Sequence, residues 1–327
     1  MTRWLIAALL LTPSLARAQY TDPDGVVRVA PVNMPYSGAR NVPELSGGPD
    51  YLEQGGANGT LVQLIEELGA AVKPIPTVAL TEEEENDYGE WHRLGLANAH
   101  LGDYVAENER EGYLTVGLLA NCSSLSGVLG GLQSSGPTRR PLKVGLVWID
   151  AHGDINTPET TLSGMLGGMP VAVAAGMCLR NLRLESGLDV ALPTKYIVMG
   201  AVRDTDPLEQ ELIDRTQIEH ITVDDIRNRS ENIHAQMERL SGMVDKIYIH
   251  IDMDVLDPDE VTGHPLTVPN GPTSQELGGA LREMFRYDKA SALGIASTPW
   301  GERDQGGLSR QAAYNLIRGA ILGVKER

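Results

Sequence analysis

Residues 144–164, VGLVWIDAHGDINTPETTLSG, begin as an unbroken apolar run and continue into a segment with Asp150, His152 and Asp154 at alternate positions. A strand apolar on both faces belongs inside a sheet that is covered above and below. Runs of the same character recur as VVRVAPV at 26–32, GYLTVGLLA at 112–120, KYIVMGA at 195–201, KIYIHID at 246–252 and SALGIAS at 291–297. Between them the spacing of apolar residues predicts helices at 57–69, 206–215, 230–243, 274–286 and 309–323, and Thr273 with Glu276 reads as a capping box for the fourth. Such alternation predicts an α/β fold on a mainly parallel sheet. No internal repeat, low-complexity linker or shift in composition divides the chain, so a single domain is expected over residues 19–327.

The first residues, MTRWLIAALLLTPSLARAQ, join Arg3 to an apolar run from Leu5 to Leu11 and then to Ala16-Arg17-Ala18. A basic start, a short apolar run and a small-x-small triplet are the parts of a secretory signal peptide, here residues 1–18. The run is shorter than the roughly 20 residues that span a bilayer. The mature chain is therefore expected to be exported, periplasmic or secreted, with no membrane association after cleavage. Acidic residues outnumber basic ones 44 to 27 with no Lys/Arg stripe, which argues against nucleic acid as a partner. Glu82 to Glu85 read as a solvated helix face. Cys122 and Cys178 are too few to make a disulfide scaffold.

At the end of KIYIHID the chain continues MDVLDP, so Asp252 and Asp254 repeat the alternation seen at Asp150, His152 and Asp154. In open α/β sheets ligands bind beyond the carboxyl ends of the strands, which is where both clusters fall. If the strand pleat extends through them, residues two apart share a side and the groups converge. Four carboxylates packed without cations repel one another, and a dication, or two, resolves the conflict. An oxygen-rich set with an imidazole suits Mn²⁺ better than a structural zinc site.

WIDAHGDINTPETTLSG and IHIDMDVLDP closely resemble the two metal-binding signatures of the arginase and ureohydrolase family, which includes arginase, agmatinase and formimidoylglutamase. RDTDPLE at 203–209 resembles a third family segment, and PYSGARNVPELSGGPDYL at 35–52 is a weaker echo. The resemblance implies a three-layer α/β/α fold and a binuclear manganese centre. It also implies hydrolysis of a C–N bond in a guanidino, amidino or amide compound, and a small-molecule substrate in a trimer or hexamer. It puts metal ligands at Asp150, His152, Asp154, Asp252 and Asp254, and makes Asp154 the residue that manages the proton of the attacking water. It places Asn156 and Ser163 against the α-carboxylate of an amino acid and Asp206 against its α-amino group, although Asn and Ser also commonly order loops.

Three positions depart from the family pattern. Cys122, in Ala120-Asn121-Cys122-Ser123, stands where the family has a metal-ligating His; a thiolate ligand would add charge and favour a softer metal such as Zn²⁺. Gly167 stands where arginases carry a proton-shuttling His, and His264 in TGHPL is the nearby residue able to take over that catalytic role. Ala296, in Ala296-Ser297-Thr298-Pro299, stands where the family has a Glu that pairs with the guanidinium, with Glu302 and Asp304 as substitutes if the loop folds back. These departures imply an amino acid with a modified guanidino-type side chain rather than free arginine. Two rival readings are a non-catalytic homologue that keeps the metal and ligand contacts, and a one-zinc deacetylase, which would not explain both aspartate clusters together. N-terminal sequencing of the exported protein is expected to begin at Gln19; a sequence starting at Met1 would contradict the signal peptide.

Overall fold

The central strands form where the chain is apolar on both faces. In the computed structural model, which describes residues 20–37, 43–57 and 59–327, eight strands make one sheet. They are β1 (Arg28–Met34), β2 (Ala71–Val72), β3 (Leu114–Leu119), β4 (Val144–Ile149), β5 (Ile197–Gly200), β6 (Glu219–Ile221), β7 (Lys246–Asp252) and β8 (Ala290–Ala296). Their order is β2-β1-β3-β8-β7-β4-β5-β6, and every neighbouring pair runs parallel. The expected signal peptide lies outside the described residues, as does part of the 35–52 segment. Among the described residues no helix is long and apolar enough to cross a membrane.

The pleat sorts the strand side chains into two cores, one on each face. Val147, Ile149, Ile249, Ile251, Leu293 and Ile295 face a core shared with the helices Leu61–Glu67, Glu231–Met243, Ser274–Met284 and Leu308–Lys325. Leu146, Trp148, Tyr248, Ala292 and Ala296 face the other, shared with the helices Glu90–Glu111 and Leu125–Ser134. The result is the three-layer α/β/α arrangement.

The two helices of the second core were not foreseen. Along Glu90–Glu111 the buried stripe is carried by Leu94, Ala97, Asn98, Leu101 and Val105 with Gly95 and Gly102, so small and polar residues dilute its periodicity. In Leu125–Ser134, Gly127 and Gly131 lie against the backbone of Asn98 and Gly102, where a Cβ would overlap a carbonyl oxygen. These glycines allow close helix contact, whereas a sequence pattern counts them against a helix.

The capping box expected at Thr273 is present. Its hydroxyl accepts from the Glu276 N–H at 3.2 Å, and its own N–H donates to Glu276 Oε2 at 2.8 Å. It starts the helix Ser274–Met284, whose Leu277, Ala280, Leu281 and Met284 enter the first core. Thr273→Ala is expected to lower stability by about 1 kcal/mol, measured by denaturant unfolding; an unchanged midpoint would show that the cap contributes nothing.

Candidate metal centre

Four adjacent central strands, β3, β8, β7 and β4, end at one rim, and each delivers a polar group there: Cys122, Ser297, Asp252 and Asp150. The pleat does not carry the convergence further, because β4 stops at Ile149 and the residues beyond it turn. Asp150 Oδ1 accepts the His152 N–H at 2.7 Å, and Asp252 Oδ1 accepts the Asp254 N–H at 3.0 Å, so each strand-end aspartate folds the next ligand back onto itself. The Ala151 N–H donates to Asp254 Oδ1 at 3.3 Å and joins the two turns. The 203–209 segment hangs on the same turn, with the N–H groups of Arg203 and Asp204 both donating to the Ala151 carbonyl.

Three triads result, each offering ligand atoms that lie within 4.8 Å of one another: Cys122, Asp150 and Asp252; Asp150, His152 and Asp254; and Asp252, Asp254 and His264. Asp150, Asp252 and Asp254 each belong to two of them. Asp154 belongs to none, since its backbone is left-handed at φ 48° and departs from the line of Asp150 and His152. It remains buried and within electrostatic reach of Asp150, Asp252 and Asp254.

Burial, followed by mutual repulsion, pushes the carboxyls of Asp154, Asp252 and Asp254 above their ordinary range. Asp150 is pushed up by burial and by Asp252, against the bond from His152. Burial would push the His152 ring down, but hydrogen bonds and charges from Asp150 and Asp254 outweigh it and push the ring up to about 12. The site is thus an anionic concentration in search of cations.

His264 is closer to this cluster than a loop histidine need be. Its side chain is buried, Nδ1 accepts the Leu266 N–H at 3.2 Å, and Nε2 lies 3.6 Å from Asp252 Oδ1 with no hydrogen-bond partner. The backbone donor at Nδ1 selects the neutral tautomer with its proton on Nε2, directed into the site.

The other departures also take definite places. Ala296 is the last residue of β8 and turns into the apolar core; Ser297 is the residue that reaches the site, its Oγ donating to Asp252 Oδ2 at 2.7 Å. Asp304 does not fold back as a counter-charge, because Tyr51 Oη and the N–H groups of Ser309 and Arg310 occupy it. Neither it nor Glu302 lines the cavity, whereas Arg303 does. Gly167 lines the wall, where a Cβ would meet only the Asn121 side chain at 3.6 Å. Cys122 and Cys178 are both free thiols, with Cys122 buried at the rim.

Asn156 Nδ2 donates to Asp206 Oδ2 at 3.1 Å and its Oδ1 accepts from Thr160 Oγ1 at 2.8 Å, which brings two expected head-group residues together. Glu209, unremarked in the sequence beyond its place in RDTDPLE, fixes both by accepting the N–H groups of Ile155 at 3.0 Å and Asp206 at 3.2 Å. Ser163 accepts the Met165 N–H at 3.2 Å and so orders its loop while lining the cavity. His250 and Tyr248, beneath Cys122, were also missed; the signal was their period-two spacing to Asp252 on β7.

A parallel α/β/α sheet with clustered aspartates and imidazoles at its carboxyl rim defines a metallohydrolase-type site. The family model described as "Arginase family" matches residues 125–297, just over half of the chain. An arginase from Entamoeba histolytica is 29% identical over 253 residues, covering 76% of this chain and 82% of the relative. Human mitochondrial arginase-2 is 27% identical over 307 residues, covering 87% and 82%. The crystal structure of an arginase from Bacillus subtilis superposes with a TM-score of 0.76 at 20% identity, over 90% of this chain and 98% of that one. The chain belongs to the arginase family, and with it to the metal-dependent hydrolases of amidinohydrolase type.

Asp150→Ala combined with Asp252→Ala removes carboxylates from two strands and from every triad. The double variant is expected to lose its bound metal and the thermal stabilisation that metal confers. Unchanged metal content and unchanged stability would show that these aspartates do not share a site.

Proposed function

We propose that the chain hydrolyses a C–N bond in an amino acid whose distal group is a modified guanidino, amidino or amide function, in an exported compartment. The supporting observation is the chemistry of one cavity of about 640 Å³, which joins the metal-ligand cluster to Asn156, Ser163 and Asp206. At the β8 side that cavity is lined by Ser297 and Arg303, and the family's carboxylate is missing. A full positive charge on the distal group would meet no counter-charge there, and leaving a buried cation unpaired costs several kcal/mol.

The residues fit a pair of divalent cations, because the donor set is anionic and buried, with the His152 ring beside Asp150 and Asp254. Cys122, Asp150 and Asp252 would hold one ion, and Asp150, His152 and Asp254 the other, with Asp154 as a further ligand. Manganese is the family's choice, and the thiol makes zinc a rival. When bound, such ions supply Lewis acidity and make water a competent nucleophile at neutral pH.

The chain's own groups do the rest. Asn156 gives one amide N–H to Asp206 and has the other to offer an α-carboxylate, while Asp206 places a carboxylate beside it for an α-amino group. This clamp sets the distal carbon over the carboxylate cluster. Asp154, buried beside the ligand cluster, accepts the proton released as water attacks. His264 carries a proton on Nε2, directed into the same space, and donates it as a hydrogen bond to the reacting group, while the proton taken up by Asp154 passes to the departing amine. Arg303 at the wall favours a distal group that is neutral or bears an oxygen.

Free arginine is expected to be turned over at a kcat/KM at least about a hundredfold below that of an amino acid with a neutral or oxygen-bearing distal group, since each 1.4 kcal/mol is a factor of about ten. Steady-state assays of released urea and ammonia against such a panel test this. Arginine as the preferred substrate would contradict the assignment.

A further inference from the structure

Beneath Cys122 lie two buried side chains, His250 and Tyr248, that the reaction above does not use. His250 lies two residues before Asp252 on β7. Its ring is fully buried and stacks on Trp148, with 4.4 Å between centroids and 4° between planes. Tyr248 Oη meets Nδ1 at 2.8 Å and Cys122 Sγ meets Nε2 at 3.1 Å. Gly294 on β8 leaves the space for the phenol, since a Cβ there would overlap the Tyr248 hydroxyl.

The proton count fixes the direction of these hydrogen bonds. The Cys122 thiol donates to Asp252 Oδ2 at 2.8 Å, and the phenol has one proton to give. With Tyr248 donating to Nδ1, the imidazole proton sits on Nε2 and points at the sulfur, so every donor has an acceptor. The reverse direction strands the Tyr248 proton in a fully buried site. Independently, His264 is 7% exposed and directs an Nε2 without a hydrogen-bond partner at the same cluster, the mark of a site built for a ligand.

We infer that His250 is a positioning residue for a metal–thiolate bond: its Nε2–H holds the Cys122 sulfur toward an ion shared with Asp150 and Asp252, so that this half of the centre takes thiophilic dications in preference to manganese. The inference rests on the two-ion reading of the site. A dication held by two carboxylates and a thiolate carries an excess of negative charge. The donors that spread that charge are already in place, Ser297 on Asp252 and His250 on the sulfur. Thiolate coordination in turn suits zinc or cobalt(II) better than manganese.

The test strips the full chain with a chelator and titrates it with Co²⁺, reading the near-ultraviolet sulfur-to-cobalt charge-transfer absorption, the visible ligand-field bands and the affinity. The charge-transfer band is expected in the unaltered protein and absent in Cys122→Ser, which keeps ligand-field bands from the other ion. His250→Phe retains a ring on Trp148 but removes the donor. Its band is expected to move to longer wavelength, with about a tenfold loss of Co²⁺ affinity and a smaller preference for Zn²⁺ over Mn²⁺ in competition. Tyr248→Phe leaves the imidazole in place and is expected to shift the same readings less. Cobalt bound without a charge-transfer band overturns this inference and leaves the two-ion hydrolase standing. An unchanged band and affinity in every one of these histidine and tyrosine variants that folds overturns the positioning role. Failure to bind cobalt at all overturns the two-ion reading beneath it.

Discussion

Four buried aspartates held against one another at the carboxyl rim of a parallel sheet are the constraint on which the rest of this molecule turns. Burial raises the affinity of Asp150, Asp154, Asp252 and Asp254 for protons, and repulsion from a neighbouring carboxylate adds to it. A fold does not tolerate such a group without compensation, and divalent cations compensate it most directly. Metal binding and stability are therefore linked, because ions that bind the assembled rim and not the unfolded chain draw the equilibrium toward the fold. The surrounding scaffold keeps the rim assembled. Central strands set the four strand ends side by side, the strand-end aspartates close their own turns, and Glu209 ties the loop after β4 to the helix Pro207–Asp214.

The departures from the family pattern are chemically coherent. A thiol replaces an imidazole at Cys122, a hydroxyl stands at Ser297 beside Asp252, and an imidazole arrives at His264 with its proton directed inward. On the proposed reading, the cavity keeps the means to grip an amino-acid head group and lacks the counter-charge for a guanidinium. Loss of catalysis would leave such features free to scatter. Here Ser297 and His250 each hold a group of the cluster, and His264 is fixed by the backbone at Leu266.

Much of this was legible in the residues. Six long strands announced themselves as apolar runs because both their faces are buried, and the Thr273 cap was readable from two side chains three residues apart. β2 and β6 were not, since edge strands of two and three residues carry too few side chains for a pattern. The candidate metal ligands were visible as DxHxD and DxD, yet the reason for their convergence was not the expected one: the pleat ends at Ile149, and Asx-type turns bring His152 and Asp254 inward. The resemblance to the family pointed to Ala296, while the backbone at Ser297, with φ 62°, turns that residue into the site instead. His250 was hidden by its own strand, where a histidine between isoleucines reads as one more core residue until its partners at Tyr248 and Cys122 are known.

The two-ion centre is tested most directly by anomalous diffraction from crystals grown with Zn²⁺ and, separately, with Mn²⁺. Two peaks are expected, one among Cys122, Asp150 and Asp252 and the other among Asp150, His152 and Asp254. A single peak, or peaks away from both triads, would contradict a binuclear centre built on these residues.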